Sequence, residues 1–267
     1  MPTKTLLQIA SFNGKIEDVT NLIKNNVDVN ESDNVNLETP IFLASQNGHL
    51  EIVKKLILAN ANINLSNKYK YDPLMVASYY GHEEVVKELI NSGADPNKKN
   101  IFGQSPLFLA TKRGNLKIVR ELIKAGANVN EENNDKENPL YEAIKRFNEE
   151  ARKLTICDQE KSTLDVIELE KTQYLEIAKT LISANADVNL PNKYGETPLL
   201  LAMLSGNEEI IKAFDPHEDP DKLNLEELYK GLLTFAPFPS PSNSPTNSPS
   251  RTPSNTRTPS NTSHEKK

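Results

Sequence analysis

Tryptophan is absent from this 267-residue chain, cysteine occurs once, at Cys157, and no apolar run approaches the roughly 20 residues that a membrane-spanning helix requires. A single cysteine cannot form an internal disulfide, so the sequence suits a reducing compartment. The start, Met1-Pro2-Thr3-Lys4, has no sign of a cleavable signal peptide, and a cytoplasmic location is expected. Acidic side chains outnumber basic ones, 37 to 31. The net charge is −6, and the residues from Ala236 onward hold four basic side chains against one glutamate, which leaves −9 on the rest. An acidic body argues against a phosphate-tracking surface for DNA or RNA. There is no phosphate loop and no nucleophile elbow, so no catalytic motif stands out.

What the chain does have is a repeat. Prolines at 40, 73, 106 and 139 are 33 residues apart, as are the glycines at 48, 81 and 114, and Asn64, Asn97 and Asn130 close each unit. Such a period means that one supersecondary unit is stacked many times, with the core buried one interface at a time. Thr39, Asp72, Ser105, Asn138 and Thr197 each precede a proline, which predicts a capped helix start with a preset φ at its first position. Leu107, Leu109 and Ala110 and their equivalents face the stack, and Gly48, Gly81 and Gly114 reverse the chain. In the second helix Ile118, Val119, Leu122 and Ile123 form an apolar face, and Asn60, Gly93, Gly126 and Asn185 follow the helix ends with left-handed caps.

A cap-proline-leucine start, a Gly-His or Gly-Asn turn and a Gly-Ala-Asp-x-Asn-like ending at this period resemble the ankyrin repeat over about residues 3–214. The fold class implied is all-α: a solenoid of six helix-turn-helix repeats with β-hairpin loops, at about 3–30, 34–64, 67–97, 100–130, 133–189 and 192–214. Repeat one lacks the proline, as an N-terminal capping repeat would. One departure is systematic. Where the family usually has histidine after Pro-Leu, this chain has Phe42, Met75, Phe108, Tyr141 and Leu200, and apolar packing is expected to replace its hydrogen bonds.

Repeat five carries an insertion at 145–174, because the second helix, from Leu175, arrives 26 residues late. Ile144, Phe147, Ala151 and Leu154 on one side and Leu164, Ile167 and Tyr174 on the other keep helical spacing. They predict two over-long helices with a bend near Asp158–Ser162 and Ser162 as a cap, forming a finger that is a solvated projection or a second contact surface. Asn224–Tyr229 opens a capping helix within residues 215–235. Residues 236–267, with seven prolines among Ser, Thr and Asn, read as a disordered tail. Ser240, Ser244, Ser248, Thr252 and Thr258 each precede proline there and are candidates for phosphorylation.

In ankyrin arrays the partner lies along the concave face, on the hairpin tips and the exposed end of helix one. Carried onto this sequence, that register gives Lys68, Tyr69, Tyr71, Tyr79 and Tyr80 in repeat three and Ile101, Phe102, Gln104, Lys112 and Arg113 in repeat four. Four of the eight tyrosines fall in those ten places, and tyrosine and arginine are enriched at interface hot spots. Packing of Tyr79 and Tyr80 on the neighbouring helix is the alternative. His49 and His82 take the turn position typical of the repeat, a structural role.

The expectation is thus a monomeric, non-catalytic scaffold for another protein, with no cofactor, metal, nucleic acid or membrane. The abundance of Asn, Lys and Ile makes the chain resemble the ankyrin effectors that intracellular bacteria send into host cells. The competing reading, an enzyme or enzyme accessory active in the insertion with Cys157 as nucleophile, lacks a base, because residues 145–174 contain no histidine.

Overall fold

Each repeat begins on a side chain that turns an extended residue into a helix start. In the computed structural model, which describes residues 4–156 and 161–214, Thr39, Asp72, Ser105, Asn138 and Thr197 accept the backbone N–H of Phe42, Met75, Phe108, Tyr141 and Leu200, three residues on. Thr5 and Gln8 form a reciprocal capping box at the head of repeat one. These starts generate the inner helices α1 (Leu6–Phe12), α3 (Pro40–Gln46), α5 (Pro73–Tyr80), α7 (Pro106–Lys112), α9 (Pro139–Ile156) and α11 (Pro198–Ser205). The outer helices are α2 (Ile16–Lys24), α4 (Leu50–Leu58), α6 (Glu83–Asn91), α8 (Leu116–Lys124), α10 (Lys161–Ser183) and α12 (Glu208–Lys212).

Inner helices pack on inner helices and outer on outer in strict succession, so the core runs as one band through the stack. Leu7, Ile41, Leu74, Leu107 and Leu140 are fully buried at equivalent places in five successive repeats. Five of the six outer helices are followed by a left-handed residue: Asn26, Asn60, Gly93, Gly126 and Asn185 all have φ between +54° and +89°. The outer side of repeat one is less polar than a capping repeat requires, with Leu6 72 % and Ile9 44 % exposed.

The loops between repeats are tight turns, and no strand occurs among the described residues. Asn67 Oδ1 accepts from the N–H groups of Tyr69 and Tyr71, Asn100 Oδ1 from Phe102 and Gln104, Asn133 Oδ1 from Asp135 and Glu137, and Asn192 Oδ1 from Tyr194 and Glu196. One backbone bond then ties each tip to the next: Lys68 to Asn36, Ile101 to Tyr69, Asn134 to Phe102 and Lys193 to Asp135. The asparagines therefore order these turns. Gln8, buried in repeat one, bonds the carbonyls of Glu31 and Glu38, whereas the equivalent positions hold Phe42, Met75 and Phe108, all buried.

The insertion is built from α9 and α10, 18 and 23 residues long, which pack side by side. Residues 157–160, and Cys157 with them, lie outside the described residues, as do the expected capping helix at 215–235, the tail at 236–267 and the five phosphorylation candidates. Position 162 is not ahead of α10 but within it (Lys161–Ser183). Nor is the finger's base a solvated projection. Phe147 is fully buried, Ile167, Tyr174 and Asn148 are nearly so, and Lys171 pairs with Glu209 of repeat six at 3.2 Å.

Candidate functional site

The 33-residue register sets side chains in columns at the loop tips and along the inner helices. Glu38, Tyr71, Gln104 and Glu137 form one column, and Leu43, Val76, Leu109 and Glu142 a second. A third is Gln46, Tyr79, Lys112 and Lys145, and a fourth Asn47, Tyr80, Arg113 and Arg146. Repeat three thus fills the four columns with aromatic and apolar groups, repeats two and four set one leucine among polar or charged groups, and repeat five presents charged ones.

The first three columns enclose a hollow of about 330 Å³. Tyr69, Tyr71, Tyr79, Tyr80, Gln104 and Lys112 of the sequence-predicted residues line it, together with Glu38, Phe42, Gln46, Asn67, Val76 and Leu109. Phe42, Leu43 and Val76 are buried beneath, with Tyr71 packed against them. Burial, and then the nearby Tyr79 and Tyr80, push the Tyr71 phenol above its ordinary pKa, so it stays a neutral donor.

Tyr79 and Tyr80 meet edge to face with ring centres 5.1 Å apart, and the Arg113 guanidinium lies over the Tyr79 ring at 4.9 Å. Tyr80 stacks on His82 at 6.4 Å and stays half exposed, while its hydroxyl has only a long 3.5 Å approach from Gln46. His82 and His49 are held by the carbonyls of Gln46 and Phe12, at 2.9 and 3.0 Å. They stitch one repeat to the previous one.

Arg113 opens on a second, adjoining hollow of about 280 Å³, which shares Tyr79 and Lys112 with the first and adds Arg146, Glu150, Glu170, Gln173 and Tyr174 from the finger. Lys68 covers the Tyr69 ring at 5.0 Å on the hairpin tip. Ile101 and Phe102 are 42 % and 50 % exposed on the next tip but line neither hollow. Sequence reasoning therefore named six of the twelve lining residues of the first hollow and missed Glu38, Phe42, Gln46, Asn67, Val76 and Leu109. Gln46 and Glu38 were within reach, since the same register stepped back by one repeat from Tyr79 and Tyr71 lands on them. No group of His, Cys, Asp and Glu capable of holding a metal occurs among the described residues. No helix among them is long and apolar enough to cross a membrane.

Comparison with known families agrees with this architecture. A family model described as ankyrin repeats (3 copies) matches residues 6–100 and 97–165, and one described as ankyrin repeats (many copies) matches 169–214. No curated protein matches the chain. Ankyrin repeats are in general protein–protein interaction modules and typically non-catalytic. The two models together span nearly the whole helical array, and the chain belongs to the ankyrin repeat family.

Proposed function

We propose that this chain is a non-catalytic scaffold that binds a partner protein along the groove of repeats two to five, acting as a monomer in a reducing cytosol. The observation that carries the reading is the aromatic wall: four tyrosines around one hollow, with Tyr69 and Tyr80 45 % and 51 % exposed, on a buried apolar floor. Large rings with polar ends on rigid helix termini are what an interface anchor needs, because little side-chain entropy is lost on binding. The composition supports, as a setting, the cytosol of a host cell entered from an intracellular bacterium.

A photo-crosslinking residue at position 80 tests this in cell lysate. The reading expects one dominant crosslinked protein from position 80 and none from position 117, which is exposed on α8. Equal labelling from both positions, or none from position 80, contradicts it.

A further inference from the structure

Two columns of the groove carry cations in both repeat four and repeat five, and the two pairs are treated differently. Lys145 lies 3.1 Å from Glu137 and 3.8 Å from Glu142, while Arg146 contacts Glu142 and Glu149 at 2.9 Å each. One repeat earlier the same register places Lys112 and Arg113, but the positions matching Glu137 and Glu142 are Gln104 and Leu109. Neither Lys112 nor Arg113 pairs with a carboxylate among the described residues. Lys112 lines both hollows and Arg113 closes over Tyr79, so the two cations stand where the aromatic floor ends.

Resting on the reading of the groove given above, we infer that the partner is an acidic segment of a protein. Its aspartate or glutamate takes, at Lys112 and Arg113, the place that Glu137 and Glu142 fill in repeat five, while an adjacent apolar side chain enters the tyrosine hollow. Lys68 over Tyr69 extends the positive edge along the tip of repeat three. The outer helices need no such complement, since Glu51, Glu83 and Glu121 are paired with Lys54, Lys87 and Lys124 of their own helices. The chain as a whole is acidic, and Glu150 and Glu170 line the second hollow beside Arg113, so Lys112 and Arg113 would select an acidic partner by contact geometry and short-range steering rather than by bulk attraction.

A displayed library of random 12-residue peptides, selected on the full chain, provides the probe, with soluble copies of the winners used for affinities. Enriched peptides should carry Asp or Glu beside an aromatic residue or leucine, and their affinity should fall with added salt. Arg113→Ala should weaken them about tenfold. Gln104→Glu, which supplies Lys112 with the in-chain carboxylate that Lys145 has, should do the same with both cations intact and the melting curve unchanged. Enrichment of neutral or basic peptides that Tyr79→Ala/Tyr80→Ala still abolishes would overturn the acidic partner and leave the groove standing. An empty selection, or peptides that bind the tyrosine variant equally well, would overturn both. A 20-nucleotide single strand bound as tightly as the best peptide would assign the cations to nucleic acid instead.

Discussion

The Tyr174 hydroxyl donates to the Lys112 carbonyl at 3.2 Å. In the regular repeats this bond to the end of the preceding inner helix comes from the residue just after the turn glycine. His49 makes it to Phe12, His82 to Gln46 and Asn115 to Ser78. Tyr174 is the residue just before Leu175, where the interrupted repeat resumes, and Gly114 leaves room for its ring 3.5 Å from where a Cβ would stand. The insertion is thus closed by a tyrosine doing a histidine's task.

Tyr174→Phe removes that donor and keeps the ring. Loss of one buried hydrogen bond should cost about 1 kcal/mol of unfolding free energy, and Tyr174→Ala about 3 kcal/mol or more because the packing is lost as well. Urea denaturation of the two variants checks this. Equal, negligible effects would mean that the bond does not hold the finger.

Excision of the finger follows from the same register. Replacing residues 147–173 by one glycine restores the spacing of repeat four, Lys-Arg-Gly before the second helix. The helical fold should survive. Losing the buried Phe147 and the Lys171–Glu209 pair should lower stability by about 2–3 kcal/mol, or roughly 5–10 °C in melting temperature. Circular dichroism showing collapse would make the insertion an obligatory part of the core.

Asp72 caps α5 with 1 % of its surface exposed, and burial raises its carboxyl pKa from 3.8 to about 6 against the help of the Met75 N–H and Lys98. Because the folded value lies above the unfolded one, the native state binds the proton more tightly. The associated stability is full below about pH 4 and is lost as pH rises through about 6. Asn138 caps α9 without a charge. Asp72→Asn should therefore stabilise the chain by about 1–3 kcal/mol at pH 7.5 and by almost nothing at pH 4. Paired thermal melts at the two pH values read this out, and a variant less stable at pH 7.5 would refute it.

A column of hydroxyls runs through the inner helices. Ser11, Ser45, Ser78 and Thr111 are fully buried, and their side-chain oxygens have no hydrogen-bond partner among the described residues. An unpartnered buried hydroxyl costs about 1–3 kcal/mol, and alanine is the better helix former. Ser45→Ala with Ser78→Ala should be neutral or stabilising by about 1–2 kcal/mol, as measured by denaturant midpoint. A loss of stability would show that the hydroxyls are satisfied.

Much of this architecture was legible because its signals are local and repeated. A cap before proline, a glycine at the reversal and an apolar face at helical spacing lie within a few residues of one another, so Thr39, Gly48 and Ile52 each announce their place. The tyrosines of the groove were legible for the same reason, by position within the repeat. Tyr174 was not, since its partner is 62 residues away and nothing near it in sequence marks a hydrogen bond. The carboxylates missing from repeat four were hidden likewise. Gln104 and Leu109 are unremarkable until Glu137 and Glu142 are seen gripping Lys145 and Arg146.

The central claim is that the tyrosine wall is kept for binding rather than for packing. The most direct test is Tyr79→Ala with Tyr80→Ala, with Kd against the partner captured from position 80 and the melting temperature measured on the same preparation. Truncating an interface hot spot costs about 2 kcal/mol or more, whereas changes at exposed positions typically alter folding by about 0.5 kcal/mol. The account predicts at least a tenfold weaker Kd with the melting temperature nearly unchanged. A loss of several kcal/mol in stability, with affinity per folded molecule intact, would make these tyrosines packing residues and contradict it.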